Sequence, residues 1–141
     1  MKQASWILTF ALVSLQAATA LADQTLEQYQ QQCTAAVKAH DDGATIAACQ
    51  RAALDYALYA ARQVGEGRYT MLLQEGSDIL DFSRSEGKTG NVAMAQKDAT
   101  QARTLFGEIA KSSHNEATIA AAQAAAGDAE ALLAELATKQ P

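Results

Sequence analysis

Apolar and small side chains recur every three or four residues along most of the chain. Between positions 46 and 60, for example, they stand at Ile46, Cys49, Ala53, Tyr56 and Ala60. An α-helix has about 3.6 residues per turn, so this spacing collects them on one face of a helix. No stretch alternates apolar and polar residues with period two, as a half-buried strand would. The pattern therefore predicts an all-α protein.

The same spacing predicts five helices separated by short turns. Clusters of Gly, Asp, Ser and Asn interrupt it near positions 40–43, 65–67, 86–90 and 112–115. The predicted helices run over about 25–39, 42–64, 68–85, 91–111 and 116–138. Helices joined by short turns pack antiparallel. The expected fold is two antiparallel helical hairpins plus a C-terminal helix, arranged as a hairpin stack or as an up-down bundle.

Two segments resemble the tetratricopeptide repeat. They are Ile46-x-x-x-Gln50-Arg51-Ala52 and Gly87 followed, after eleven residues, by Ala99. In that family each hairpin has small residues at such positions, and a final helix often closes the stack. The resemblance covers about a third of the chain and implies stacked hairpins. Ala52 and Ala99 stand 47 residues apart, whereas the family period is about 34 residues.

A second likeness involves the turn Glu86-Gly87-Lys88 and Arg103. These residues resemble the last hairpin of periplasmic four-helix b-type cytochromes, in which a haem-ligating His follows the Arg by one turn. Gly107 stands at that position here, and no C-x-x-C-H motif is present. The resemblance thus implies a bundle shape without haem, and no cofactor is expected.

The N-terminus has the layout of a secretory signal peptide. Lys2 is followed by an apolar run from Trp6 to Leu15, and then by the small-x-small site Ala20-Leu21-Ala22. The apolar run is shorter than the roughly 20 residues that a membrane-spanning helix needs. We therefore expect residues 1–22 to be removed, a mature chain from about Asp23, and a periplasmic or secreted protein.

Composition narrows the choice of partners. Residues 23–141 form one domain of ordinary size, with 10 basic and 16 acidic residues and a net charge of −6. Nucleic acids and anionic membrane surfaces both attract basic proteins. We expect no nucleic-acid partner and no stable membrane insertion of the mature chain.

The two cysteines predict a disulfide. Cys33 and Cys49 are each eight residues from the predicted turn at Asp41, so they lie level on antiparallel helices. Each also stands on the inward apolar face of its helix. An exported protein meets an oxidising environment, in which such a pair becomes a cross-link. The alternatives are two free thiols and a redox-active pair, but the latter lacks the C-x-x-C spacing.

The remaining polar residues do not predict catalysis or metal binding. His40 and His114 each adjoin two polar residues in a predicted turn, whereas a transition-metal site needs three or four converging donors. Both turns could lie at the same end of a bundle, which would leave a shared surface site open. No Ser-His-Asp arrangement, nucleophile elbow, phosphate loop or dinucleotide fingerprint is present, so a non-enzymatic protein is expected.

Two groups of residues are candidates for contact with a partner. Tyrosine and arginine, the usual anchors of interfaces, occur close together in the sequence, and carboxylates at i, i+3 and i+6 predict a solvated acidic face next to Arg84. The candidate residues are Arg51, Tyr56, Tyr59, Arg62, Tyr69, Glu75, Asp78 and Asp81. The function expected from the sequence is an exported interaction module that binds another protein, and the alternative is a small-ligand carrier with a pocket between helices.

Overall fold

The computed structural model describes residues 25–139, which form five helices and no strand. The helices are α1 (25–38), α2 (Asp42–Ala60), α3 (Glu66–Lys88), α4 (Val92–Ser112) and α5 (Glu116–Ala137). Consecutive helices run antiparallel, as the sequence predicts. The predicted signal peptide and cleavage site lie outside the described residues. No helix within residues 25–139 is long and apolar enough to cross a membrane.

Helix α3 is central to the packing. It packs against its chain neighbours α2 and α4 and also against α5. It reaches α1 as well, through a hydrogen bond between Gln30 and Asp78. Both ends of α3 are tied by side chains: Glu66 accepts hydrogen bonds from Ser113 Oγ and the backbone N–H of His114, and Ser85 Oγ donates to Asp42.

The core is built mainly from alanine and a few large side chains. Phe106, Ile109 and Leu136 are fully buried. The alanines at full burial are Ala52, Ala95, Ala99, Ala102, Ala122 and Ala129. Alanine removes little apolar area from water, so the helices must approach closely to exclude solvent.

Two glycines of α3 permit this close approach. A Cβ atom on Gly76 would lie 2.5 Å from Cε1 of Phe106, and one on Gly87 would lie 2.5 Å from Cδ2 of Leu136. Both distances are far below van der Waals contact, so the α4 and α5 side chains use the space that these glycines leave open. Gly87 belongs to the segment that the sequence assigns to a turn. In the structure α3 continues to Lys88, and Glu86 and Gly87 are buried within it.

The other errors in helix boundaries concern the link between α2 and α3. Helix α2 ends at Ala60 rather than near Val64, and α3 begins at Glu66 rather than Arg68. Gly65, with φ of 63°, is the residue that breaks the chain direction there. Asp41, at the predicted turn, caps α2: its carboxylate accepts a hydrogen bond from the N–H of Ala44.

The two hairpins repeat one another with an offset of 50 residues. The N–H of Asp41 donates to the carbonyl of Ala36, and the N–H of Asn91 donates to that of Glu86. Two further backbone hydrogen bonds recur with the same offset. The N–H of Ala39 donates to the carbonyl of Ala35, as that of Thr89 does to Ser85, and the N–H of Thr45 donates to Asp41, as that of Ala95 does to Asn91. Ala52 therefore corresponds to Ala102. The pairing of Ala52 with Ala99 that the sequence suggests is wrong by three residues.

Candidate functional site

An open groove runs along α1 and has a volume of about 640 Å³. We call it the α1 groove. Its lining residues include Glu27, Gln30 and Lys38 of α1, Tyr56 and Tyr59 of α2, and Met71 of α3. Because α1 is antiparallel to α2 and runs in the same direction as α3, the end of α2 and the start of α3 both lie beside the first turns of α1. The groove thus has an aromatic and thioether wall at one end and a lysine at the other.

A buried carboxyl group, Asp78 of α3, lies behind Gln30. Asp78 is fully buried, and its Oδ1 accepts hydrogen bonds of 3.2 Å from both Gln30 Nε2 and Gln74 Nε2. Two oxygen atoms in this group are buried without a hydrogen-bond partner: Asp78 Oδ2 and Gln30 Oε1. Buried polar atoms are rarely left unpaired, since each costs about 1–3 kcal/mol.

The electrostatics of this cluster are dominated by burial. Loss of solvent raises the pKa of Asp78 to about 6, the amide donors of Gln30 and Gln74 oppose the rise, and nearby Asp81 adds to it. The pKa of Tyr56 is also raised, first by its own burial and then by the negative charges of Asp78 and Glu27. The charge of the buried Asp78 carboxylate therefore acts on Tyr56, a residue that lines the groove.

The disulfide also lies next to Asp78. Cys33 and Cys49 are bonded, with 4.6 Å between their Cα atoms, which confirms the predicted cross-link between α1 and α2. Cys33 Sγ is 3.6 Å from Asp78 Oδ1. A disulfide sulfur carries no hydrogen, so we interpret this contact as packing rather than as a hydrogen bond.

Cys33, Asp78 and Asp81 are also close enough together to suggest a metal site, with candidate ligand atoms within 4.8 Å of one another. The ligand in cysteine sites is the thiolate, and the disulfide removes it. The oxidised arrangement therefore offers only two carboxylates, one of them with amide partners. The expectation of no metal site stays a prediction.

A second buried carboxyl group lies where α2, α3 and α4 meet. Glu86 is only 3% exposed, and its Oε1 is 3.5 Å from Gln50 Nε2. Burial, followed by the adjacent carboxyl group of Asp98, raises the pKa of Glu86 to about 7. Two carboxyl groups this close cannot both ionise without repulsion, so they favour sharing one proton.

The predicted acidic face is wrong in one of its three members. Asp78 is buried, whereas Asp81 and Glu75 are half-buried. Asp81 pairs with Arg84 at 3.0 Å, as expected. The i, i+3, i+6 spacing places the three carboxylates along one side of α3, but it does not show whether that side faces solvent. Because other helices surround α3, this side is covered at Asp78.

The structure divides the predicted tyrosine and arginine group. Tyr56 and Tyr59 line the α1 groove together, whereas Tyr69 packs against the core. The Arg51 guanidinium lies 4.8 Å from the ring centre of Tyr29 and forms an ion pair with Asp55 at 3.7 Å.

Arg62 is exposed in the link after α2 and is not among the groove-lining residues.

The two histidines lie at opposite ends of the fold. Asp42, two residues after His40, contacts the C-terminal end of α3, whereas the backbone N–H of His114 donates to Glu66 at the N-terminal end of that helix. A shared histidine site is therefore excluded. The turns that hold them are separated by three helices, and each antiparallel helix reverses the end at which the chain emerges.

Sequence reasoning missed the residues that complete the cluster. Gln30 and Gln74 hold Asp78, and Glu27 adds charge to the groove, yet none was a candidate. One signal was available: Asp78 immediately precedes the inward residue Ile79, and a carboxylate at a core edge requires donors.

Comparisons with protein-family models, with curated proteins and with solved structures find no match for this chain.

Proposed function

We propose that this protein is a non-enzymatic binding module that takes a segment of another protein into the α1 groove. The observation that carries the proposal is the groove itself: an open channel of about 640 Å³ along one helix, with Tyr56, Tyr59 and Met71 in its wall. Tyrosine and methionine are enriched at protein interfaces because they supply large contact areas. A channel that is open along its length accommodates a chain segment.

The alternative of a small-ligand carrier has less support. Sites for small molecules are usually concave enough to bury most of the ligand surface. The grooves beside Tyr29 and Arg51, and between Glu75 and Leu105 on α3 and α4, are open to solvent like the α1 groove.

We further propose that the protein acts in the periplasm or outside the cell. The disulfide supports this location, because such cross-links persist in oxidising compartments. The signal-peptide pattern of residues 1–22 supports it independently.

Site-specific photo-crosslinking in the native host tests the binding proposal. A benzophenone amino acid would replace Thr34, which lines the groove, or Gln123, which is exposed on α5. We expect a discrete protein adduct from position 34 and none from position 123. The opposite pattern would place the interface on α5 and refute the groove as the binding site.

A further inference from the structure

The buried carboxyl group of Asp78 has no cationic partner within residues 25–139. Both of its hydrogen bonds come from neutral amides, Gln30 and Gln74. The neighbouring ion pair on α3 joins Asp81 to Arg84 and does not include Asp78. Buried carboxylates in proteins are normally paired with a cation or satisfied by several donors.

On the basis of the proposed function, we propose that the α1 groove selects a segment that carries a lysine or arginine side chain, whose cationic head is bound by Asp78 and Gln30. The two oxygen atoms without a partner, Asp78 Oδ2 and Gln30 Oε1, belong to side chains that already share a hydrogen bond. A cationic head group that donates to both would satisfy both acceptors at once.

Gln30 provides the access route. Its side chain is half-buried, lines the groove and covers Asp78, so one residue connects the open channel with the buried carboxylate. Gln74 continues to donate to Asp78 Oδ1 when Gln30 turns aside. The incoming side chain thus replaces a neutral amide donor with a cationic one, which adds the attraction between opposite charges to the hydrogen bond.

The charges around the groove favour a cation at this end. Glu27 also lines the groove; burial raises the pKa of the Tyr56 hydroxyl most, and the negative charges of Asp78 and Glu27 raise it further. The faces of Tyr56 and Tyr59 are suitable surfaces for the aliphatic stem and the charge of a basic side chain. Lys38 lies eleven residues along α1 from Glu27, roughly 16 Å away, and disfavours a second cation there.

Protons compete with the basic side chain for Asp78. Asp81 of α3 and Tyr56 of α2 interact electrostatically with Asp78, and Glu27 of α1 acts in turn on Tyr56; all three are acidic groups. Because the pKa of Asp78 is about 6, its carboxylate is neutralised at pH 5 and ionised at pH 7.5. Affinity for the basic segment therefore rises with pH across this interval, as Asp78 loses its proton.

The test uses two blocked pentapeptides that differ only at the central residue, lysine in one and norleucine in the other. Binding is followed by the backbone amide NMR shifts of the protein at pH 7.5 and pH 5. At pH 7.5 we expect the lysine peptide to bind about tenfold more tightly than the norleucine peptide, as one charged hydrogen bond would give. The shifts should cluster at the α1 groove, and the preference should shrink at pH 5.

Two variants make the assignment specific. Asp78→Asn removes the charge and should abolish the preference, while its new amide donor can satisfy Gln30 Oε1 and so keep the fold. Asp128→Asn changes the net charge equally on the exposed face of α5 and should leave the preference intact. Circular dichroism confirms folding, and the pH series on the unmodified protein tests the inference without any variant.

The possible outcomes separate this inference from the proposed function. Equal binding of both peptides in the groove would refute the preference for a basic side chain and leave the groove as a binding site. A lysine preference that persists in Asp78→Asn, or the absence of binding by either peptide, would also overturn the inference. Photo-crosslinking from position 34 tests whether a protein binds in the groove, and its result does not depend on any of these three outcomes.

Discussion

The turn at His40 offers a direct test of the correspondence between the two hairpins. His40 is the non-glycine residue within 25–139 that has a positive φ, 53°. Its counterpart 50 residues later, Gly90, has φ of 93°. An L-residue in the left-handed region costs about 1–2 kcal/mol because Cβ crowds the following carbonyl group. The first hairpin therefore carries a strain that glycine removes in the second.

Replacing His40 with glycine should stabilise the protein. The relief of about 1–2 kcal/mol is partly offset, because glycine makes the unfolded chain more flexible by about 0.4–1 kcal/mol. A net gain of about 0.5–1 kcal/mol remains, which corresponds to an increase in Tm of about 2–5 °C for a domain of this size. The measurement is a reversible thermal melt followed by circular dichroism, with urea unfolding to give the free energy.

Two control variants separate the backbone from the side chain. His40→Ala loses the imidazole but keeps the strain, so it should not reproduce the gain. Gly90→Ala introduces the same strain in the second hairpin, and since no atom lies within 4 Å of the new Cβ, it should lower stability by about 1 kcal/mol through the backbone alone. A lower Tm for His40→Gly, or an equal gain from His40→Ala, would refute the reasoning.

Three further predictions concern packing, the cross-link and pH. Gly87→Ala should lower stability by about 1 kcal/mol, because the new Cβ atom would overlap the buried Leu136 of α5. Gly107→Ala has open space around the new Cβ atom and should raise stability by up to about 1 kcal/mol. Equal effects of the two variants in urea unfolding would contradict the packing argument. Replacing Cys33 and Cys49 together with alanine should cost about 3 kcal/mol by loss of the cross-link, and an unchanged urea midpoint would contradict this. The folded-state pKa of Glu86 is raised to about 7, so folding takes up a proton, and stability should fall as pH rises from about 4.5 to 7. Glu86→Gln should flatten that decline. If the variant loses stability with pH as steeply as the unmodified protein, the decline belongs to other groups.

The sequence predicts the helices well where apolar periodicity is strong. Of the residues expected on one face of α2, Cys49, Ala53 and Ala60 are buried, and Ile46 and Tyr56 are half-buried. The disulfide could be predicted too, because it depends only on distance from a turn and on helix face. Both arguments use geometry local to one helix or one hairpin.

The errors occur where the environment comes from other helices. Gly87 was interpreted as part of a turn because glycine is a poor helix former, yet contact with Leu136 of α5 favours it inside α3. Asp78 was interpreted as solvated because its neighbours in sequence are acidic, yet α1 covers it. Gln30 stands 48 residues from Asp78, and no local pattern connects them.

The disulfide belongs to only one of two matching hairpins. Counting 50 residues on from Cys33 and Cys49 gives Ser83 and Ala99, both buried and without a cross-link. The second hairpin is held on both sides, by α2 and by α5, whereas α1 is the first described layer and is joined to α2 by the disulfide and to α3 by the Gln30–Asp78 hydrogen bond. In a one-dimensional array each layer is held by its interfaces with its neighbours, and local opening begins where those contacts are fewest. The covalent bond between α1 and α2 thus keeps the helix that bears the groove attached during local opening.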